Sequence, residues 1–342
     1  MQRILIIKPS SLGDVVHGLP TLQALRRRFP SAEMHWLVKR EWAGILERAE
    51  GLHRIWTVAR GVGGWLSVVP DLRAERFDVV LDLQGLFRSA ALAWLTGCPR
   101  RIGFANGREG SPLFYTDRVP VPTPEMHAVD RYLLLSARAG VPVPDKVEFR
   151  LCPTAADREH INALLRRHGI MPGTVWIAVN PVARWVTKRW PLGYFAQVAD
   201  AIQNSGLGRV VLIGSESDRA ATETVKQAMR SIPLDLTGSV SLTHLPALLA
   251  SPALLITNDS GPMHVAAAVG TPVVALFGPT SAARTGPYGG DHTVLTSDVP
   301  CRPCLSRHCQ QADPLVCLTS ITSETVVAAV RQRLPQRLAQ FT

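Results

Sequence analysis

No apolar stretch of this sequence reaches the roughly 18 residues of a membrane-spanning helix. Candidates such as His264 to Gly278 are broken by Gly or Pro. The N-terminus offers only four apolar residues, Ile4 to Ile7, before Lys8 and Pro9. A secretory h-region needs about 7–15, so a cytoplasmic protein is expected. Gly and Pro, 26 each, are too few for a low-complexity or collagen-like chain. The six cysteines do not form a secreted disulfide framework: Cys98 and Cys152 are scattered, and Cys301, Cys304, Cys309 and Cys317 cluster. There is no G-x-x-x-x-G-K, hence no Walker A loop. There is no G-x-G-x-x-G, which counts against NAD(P) and FAD, and no H-E-x-x-H. No two Asp stand two apart, so no D-x-D can hold a metal–diphosphate. A diphosphate would have to be neutralised by cations and helix N-termini instead.

What is present is a basic, core-forming chain. Its 342 residues are 46% hydrophobic and suit two domains. Lys and Arg number 37 against 27 Asp and Glu, giving a net charge of +10. Only five of the cations are Lys. Such a balance suits nucleic acid, an anionic membrane surface or an anionic substrate. Beyond Arg26-Arg27-Arg28 and Pro99-Arg100-Arg101 there is no basic tract with interleaved aromatics, so no nucleic-acid partner is expected.

The pattern along the chain is strand, helix, strand, helix, which predicts an α/β fold with parallel sheets. Strands are predicted at 4–7, 34–38 and 78–83, and helices at 15–28, 89–95 and 128–139. After a Pro-containing stretch, bracketed by Val141 to Pro144 and Leu151 to Pro153, the pattern restarts. Strands are predicted at 175–180, 209–214, 254–258 and 273–277. Helices are predicted at 157–168, 194–203, 218–229 and 263–269, with a last one at 322–338. The expected division is 1–153, 154–321 and a C-terminal helix segment, 322–342. Two such halves put a cleft between them, with ligands beyond the carboxyl ends of the strands.

Polar, Gly-containing segments fall at those ends. Lys8-Pro9-Ser10-Ser11-Leu12-Gly13-Asp14 follows a strand and opens a helix. Asp14 or Ser11 suits a helix cap, and Asp14, a carboxylate at the mouth of a cleft, also suits a general base. Lys188-Arg189-Trp190-Pro191, with Arg184 and Trp185 just before, suits an anion clamp or a surface charge pair. Asn258-Asp259-Ser260-Gly261-Pro262-Met263-His264 runs from a strand into a helix N-terminus, a natural seat for phosphate. Phe277-Gly278-Pro279-Thr280 ends the next strand. The spacing Cys301-x2-Cys304-x4-Cys309-x7-Cys317 is compatible with structural zinc, free thiols or a disulfide. Metal there is the less favoured reading, and no cofactor is expected.

Together IIKPSSLGDVVHGLP, DVVLDLQGLFRSA, HAVDRY, KRWP and NDSGPMHVAAAVGTPVVALFGPT resemble the ADP-heptose:lipopolysaccharide heptosyltransferases, glycosyltransferase family 9. The resemblance covers nearly the whole chain and is strongest to the heptosyltransferase I branch. It implies a GT-B architecture: two Rossmann-like domains facing across a cleft, acceptor in the first, ADP-sugar in the second, and a last helix that packs back on the first. It implies inverting, metal-independent transfer of heptose from ADP-L-glycero-D-manno-heptose to a Kdo residue of the lipopolysaccharide inner core. The alternatives are another family 9 acceptor, such as the heptosyltransferase II type, or a non-catalytic nucleotide-binding protein.

By the same resemblance Asp14 is the catalytic base and Lys188 offsets charge on the leaving ADP. Donor contacts fall to Ser10, Ser11, Gly13, Arg184, Asp218, Asp259, Ser260, Gly261, Met263 and His264. Asp218 matches a carboxylate on the adenosine ribose, with Glu216 as an alternative. Acceptor contacts fall to Arg60, Arg88, His127 and Arg131. The implied partners are ADP-heptose, a Kdo-lipid A glycolipid and the anionic inner-membrane surface, met from the cytoplasmic side. The chain departs from the branch pattern at three places. Ala183 and Arg184 replace two hydroxyl residues, Arg60 to Trp65 holds one cation rather than several, and the cysteine cluster resembles other branches.

Overall fold

The computed structural model describes the backbone of residues 1–338 and side chains through Leu334. The chain divides into two compact units, Met1–Cys152 and Pro153–Thr342. Each is an α/β unit with one six-stranded, all-parallel sheet.

In the first unit the strands are β1 (Arg3–Ile7), β2 (Glu33–Lys39), β3 (Arg54–Val58), β4 (Val79–Asp82), β5 (Arg101–Phe104) and β6 (Asp117–Val119). Their order across the sheet is β3-β2-β1-β4-β5-β6. In the second they are β7 (Trp176–Asn180), β8 (Arg209–Leu212), β9 (Leu234–Asp235), β10 (Leu254–Asn258), β11 (Val273–Leu276) and β12 (Thr293–Leu295). Their order is β12-β11-β10-β7-β8-β9. Read from its own first strand, the second sheet repeats the first. Both are Rossmann-like, each with a switch point where the winding direction reverses. In unit one that point lies between β1 and β4; in unit two, between β7 and β10. The α/β, GT-B reading of the sequence stands in these two Rossmann-like units.

The central strands are buried on both faces and read as unbroken apolar runs. Ile4 to Ile7 and Leu254 to Ile256 are fully buried. The flanking strands β3, β6, β9 and β12 are short and only partly covered. They lack the unbroken apolar signal that makes a strand readable, and the sequence pattern passes over them. It passes over β5 too, a four-residue strand opened by Arg101.

The division falls after Cys152, next to the expected 153, and the chain just before it is held: Leu151 pairs antiparallel with Ala49, and the Cys152 N–H donates to the Arg48 carbonyl at 2.7 Å. The last helix, Ser323–Leu338, inserts Val326, Ala329, Val330 and Leu334 into the core of the second unit. That burial makes the helix part of the second unit's core. Residues 339–342 of the expected C-terminal segment lie outside the described residues.

Candidate active site

In unit one the functional side chains converge on the β1/β4 switch point. β1 ends at Ile7, and the helix Leu12–Arg28 starts five residues later. Ser11 is its extended N-cap and Asp14 its third residue, so the Asp14 carboxylate reaches back over the helix start. Its Oδ2 accepts from the Ser11 N–H at 2.9 Å and the Ser11 hydroxyl at 3.1 Å. Its Oδ1 accepts from the Tyr132 hydroxyl at 3.3 Å and lies 3.7 Å from the Lys8 ammonium. The Asp14 side chain is still 37% exposed. Asp14 therefore fills the capping role and also presents a carboxylate to solvent. Burial, with Asp14 beside it, pushes the Tyr132 phenol far above its ordinary value, so it is a neutral donor.

Behind Asp14, Lys8 is 4% exposed at its side chain and donates to Gln84 Oε1 at 3.2 Å. Gln84 belongs to the turn after β4. Gly85 takes a left-handed φ of 66° there, the region Gly adopts without cost. The turn aims the N–H groups of Gln84 and Gly85 at Asp82 Oδ1, at 2.9 and 3.3 Å. The other oxygen of Asp82 accepts from the Tyr115 hydroxyl at 2.7 Å. Gly103 lets the Tyr115 ring in: a Cβ there would lie 2.3 Å from it. Full burial raises the Asp82 carboxyl, against the hydrogen bonds it accepts.

The other residues read for this unit are placed as follows. Ser10 is partly exposed in the same loop and Gly13 is buried in the first helical turn. His127 caps the helix Ala128–Arg138 by accepting from the Val129 N–H at 3.2 Å, and its ring meets His17 edge-on. Arg131 lies over the Phe104 ring, and its buried Nε has no hydrogen-bond partner. Arg88 lies over the Trp65 ring at 5.4 Å. Arg60 is 88% exposed and paired with Glu41 at 3.0 Å. Its ion pair is with Glu41, not with Asp14.

In unit two the convergence is at the β7/β10 switch point. Asn258, the last residue of β10, is fully buried and ties the two strand ends together. Its amide donates to the Pro181 carbonyl at 2.8 Å and accepts from the Trp190 N–H at 3.0 Å. Trp190 is itself fully buried, donating through its indole to Ile321. The loop between Pro181 and Trp190 is thus pinned at both ends, and Lys188 projects from it. Its ammonium meets Asp259 Oδ2 at 2.6 Å and lies over the Trp185 ring at 4.7 Å. Thr280 donates to the same Asp259 oxygen at 2.7 Å. Ser260 N-caps the helix Gly261–Ala268, and its hydroxyl accepts from Asn180 at 2.9 Å. Gly261 opens the helix and Pro262 follows, as the sequence required. Arg184 is exposed beside this loop.

Two residues expected at the donor site are buried. Met263 is fully buried, backbone included. His264 is also buried, 6% exposed. Asp218 folds onto its own turn, its Oδ2 accepting from the Ser215 N–H at 2.8 Å and the Ser215 hydroxyl at 2.5 Å. Glu216 is engaged by Arg219. Lys8, Asn258 and Thr280 lie in segments that the sequence singled out but were given no role, and Tyr132 was passed over; their partnerships span 21 to 118 residues.

The four clustered cysteines, none of them in a disulfide, line one cavity of about 320 Å³ with Thr187 and Pro279. Among the described residues, three metal-ligating atoms come within 4.8 Å of one another at Glu33, His35 and His53, not at the cysteines. That histidine cluster does not suit a cation. His35 Nδ1 accepts from the Trp56 indole at 3.0 Å. The neutral ring must therefore carry its proton on Nε2, the atom that faces Glu33.

The sequence profile of Glycosyltransferase family 9 (heptosyltransferase) matches residues 65–313. Lipopolysaccharide heptosyltransferase 1 of Pseudomonas aeruginosa is 31% identical over 324 residues, spanning 90% of this chain and 87% of the relative. Lipopolysaccharide core heptosyltransferase OpsX of Haemophilus influenzae is 26% identical, spanning 85% and 83%. Among solved structures, a family 9 glycosyl transferase from Veillonella parvula superposes with a TM-score of 0.85, at 26% identity over 98% of both chains. E. coli ADP-heptose LPS heptosyltransferase II superposes with 0.80, at 26% identity over 98% and 99%.

Proposed function

The chain belongs to glycosyltransferase family 9, the heptosyltransferases, and we propose that it moves heptose from ADP-heptose to a Kdo residue of the lipopolysaccharide inner core with inversion. The observation that carries this reading is Asp14. It is a carboxylate at a Rossmann switch point, held by donors on both oxygens and still over one-third exposed. A general base needs that combination of fixed orientation and access.

The step is a single displacement. An acceptor hydroxyl gives its proton to Asp14 while its oxygen bonds to the anomeric carbon. The anomeric bond to the diphosphate breaks, and its electron pair leaves with ADP. Lys188, steered by Asp259, meets the charge that grows on the diphosphate. The N-terminus of the helix Gly261–Ala268 adds its amides, with Ser260 fixed at the cap. Arg184 supplies a second cation in place of the missing hydroxyls. The sequence has no D-x-D, so we assign diphosphate neutralisation to these groups, and a chelator should leave turnover unchanged. Asp218 and the turn that it caps would meet the ribose diol. Arg131, with a buried unpartnered Nε, suits an acidic sugar.

The net charge of +10 and an acceptor carried on lipid A lead to work at an anionic membrane surface. Among the described residues no helix is long and apolar enough to cross a membrane. Sedimentation with anionic vesicles that weakens with salt is the expected behaviour; none at low salt would remove this part of the reading.

A second reading, a heptosylated inner-core acceptor of the heptosyltransferase II type, is favoured by one observation. Arg60 is the single cation of its segment and is taken up by Glu41. The deciding experiment measures ADP release from ADP-heptose with Kdo-lipid A and with its monoheptosyl product, for wild type and Asp14→Asn. Release with Kdo-lipid A alone, lost in Asp14→Asn, supports the first reading. Release only with the heptosylated acceptor supports the second. Release indifferent to Asp14 would overturn the base assignment.

A further inference from the structure

Lys8 is one of five lysines in the chain, and its side chain is almost wholly removed from water. Taking an ammonium out of water is costly unless partners replace the hydration. The partners here are specific. Lys8 donates to Gln84 Oε1 at 3.2 Å, stands 3.7 Å from Asp14 Oδ1 and lies over the Tyr132 ring at 5.2 Å. The Asp82 carboxylate acts on it from β4. Gln84, Asp82 and Asp14 all follow or end the strands that flank the switch point. A lysine serving stability alone would do as well replaced by an apolar side chain of similar volume.

The division of labour on Asp14 shows what the arrangement does. Oδ2 is occupied by the helix cap at Ser11. Oδ1 faces Tyr132 and Lys8, so it is the oxygen on the far side from the cap. Building on the assignment of Asp14 as base, we propose that Lys8 is a positioning residue for the reaction: buried between the switch-point strands, it holds Asp14 ionised and aims Oδ1. Tyr132 shares the aiming through its hydroxyl. Lys8 does not touch substrate.

Other charged groups act on the two partners of Asp14: Arg131, from the helix Ala128–Arg138, and Asp82, from β4, both act on Lys8 and on Tyr132. Arg131 remains in a Lys8 variant, so loss of Lys8 is a partial rather than total loss of positive charge.

The test compares Lys8→Met, Lys8→Arg and Asp14→Asn by steady-state ADP release across pH. Lys8→Met should lower kcat about 10- to 100-fold and leave donor KM within about twofold, since only the transition state needs the aimed base. The acid limb of kcat should move up by about one pH unit, because a nearby cation favours the ionised carboxylate. Lys8→Arg should recover part of kcat and return the limb toward wild type. If Lys8→Met does not fold, Lys8→Met with Asp82→Asn removes the second buried carboxylate and is read the same way. A wild-type kcat with an unmoved limb, beside an inactive Asp14→Asn, overturns the role of Lys8 alone. An active Asp14→Asn overturns the base assignment on which it rests.

Discussion

Lys188 and Thr280 donate to the same oxygen of Asp259, at 2.6 and 2.7 Å. Asp259 is 5% exposed at its side chain and Lys188 is 18% exposed. The aspartate therefore acts first as a tether that points a cation, and ties the β7, β10 and β11 ends of the sheet together. Lys188→Ala should cut kcat by ~100-fold or more, the scale for removing a preorganised charge from a leaving group. Asp259→Asn should raise donor KM about tenfold while keeping more turnover than Lys188→Ala. Initial-rate kinetics of ADP release on the three proteins check both; equal loss in the two variants would mean that Asp259 touches substrate directly.

The cap that Asp14 forms and the base proposed for it separate by measurement. Asp14→Asn should lower kcat by ~100- to 10,000-fold through loss of general-base catalysis. The amide oxygen can still accept from the Ser11 N–H, so stability should fall by less than about 1 kcal/mol. Asp14→Ala removes both functions and should cost about 1 kcal/mol in urea unfolding. A fully stable Asp14→Ala would show that the cap contributes nothing.

Met263 tests whether a residue inside a motif is a ligand or core. It is fully buried. Met263→Leu should leave donor KM and stability nearly unchanged, since the volume is conserved. Met263→Ala should cost about 2–5 kcal/mol through the cavity left behind. A donor KM raised more than about fivefold by Met263→Leu would place the side chain against the donor after all.

His35 gives the first unit a pH dependence. Burial pushes its imidazole below the ordinary range, outweighing the carboxylates nearby, and its Nε2 lacks a hydrogen-bond partner. The folded state therefore takes up the proton later than the unfolded state does. Stability from this group is full above the unfolded value of about 6.5 and is lost as pH falls below it. His35→Phe should flatten that part of the stability curve. Thermal unfolding between pH 5 and 7.5 measures it, and an identical slope in the variant would remove His35 as the cause.

Some of this was legible along the chain and some was not. The strands at 4–7, 175–180 and 254–258 could be read because a strand covered on both faces must be apolar throughout. β3, β6, β9 and β12 lie at sheet edges, where half-covered residues vary freely, and β9 spans only Leu234–Asp235. The helices after β1 and β10 were readable, but they begin at Leu12 and Gly261, two to three residues before the positions read from the sequence.

The sequence by itself therefore determined the two α/β units, their site loops and the family, since strand burial, helix capping and glycine turns are short-range constraints written in consecutive residues. Only the tertiary structure decided which charges meet. Lys8 reaches Gln84 across 76 residues and Asp259 reaches Lys188 across 71, and nothing local specifies either distance. The same holds for Met263, which sits in a ligand-like motif but turns inward. Parallel crossovers carry residues far apart in the chain to one switch point, and the closing of the sheet sets their separation to within hydrogen-bond reach.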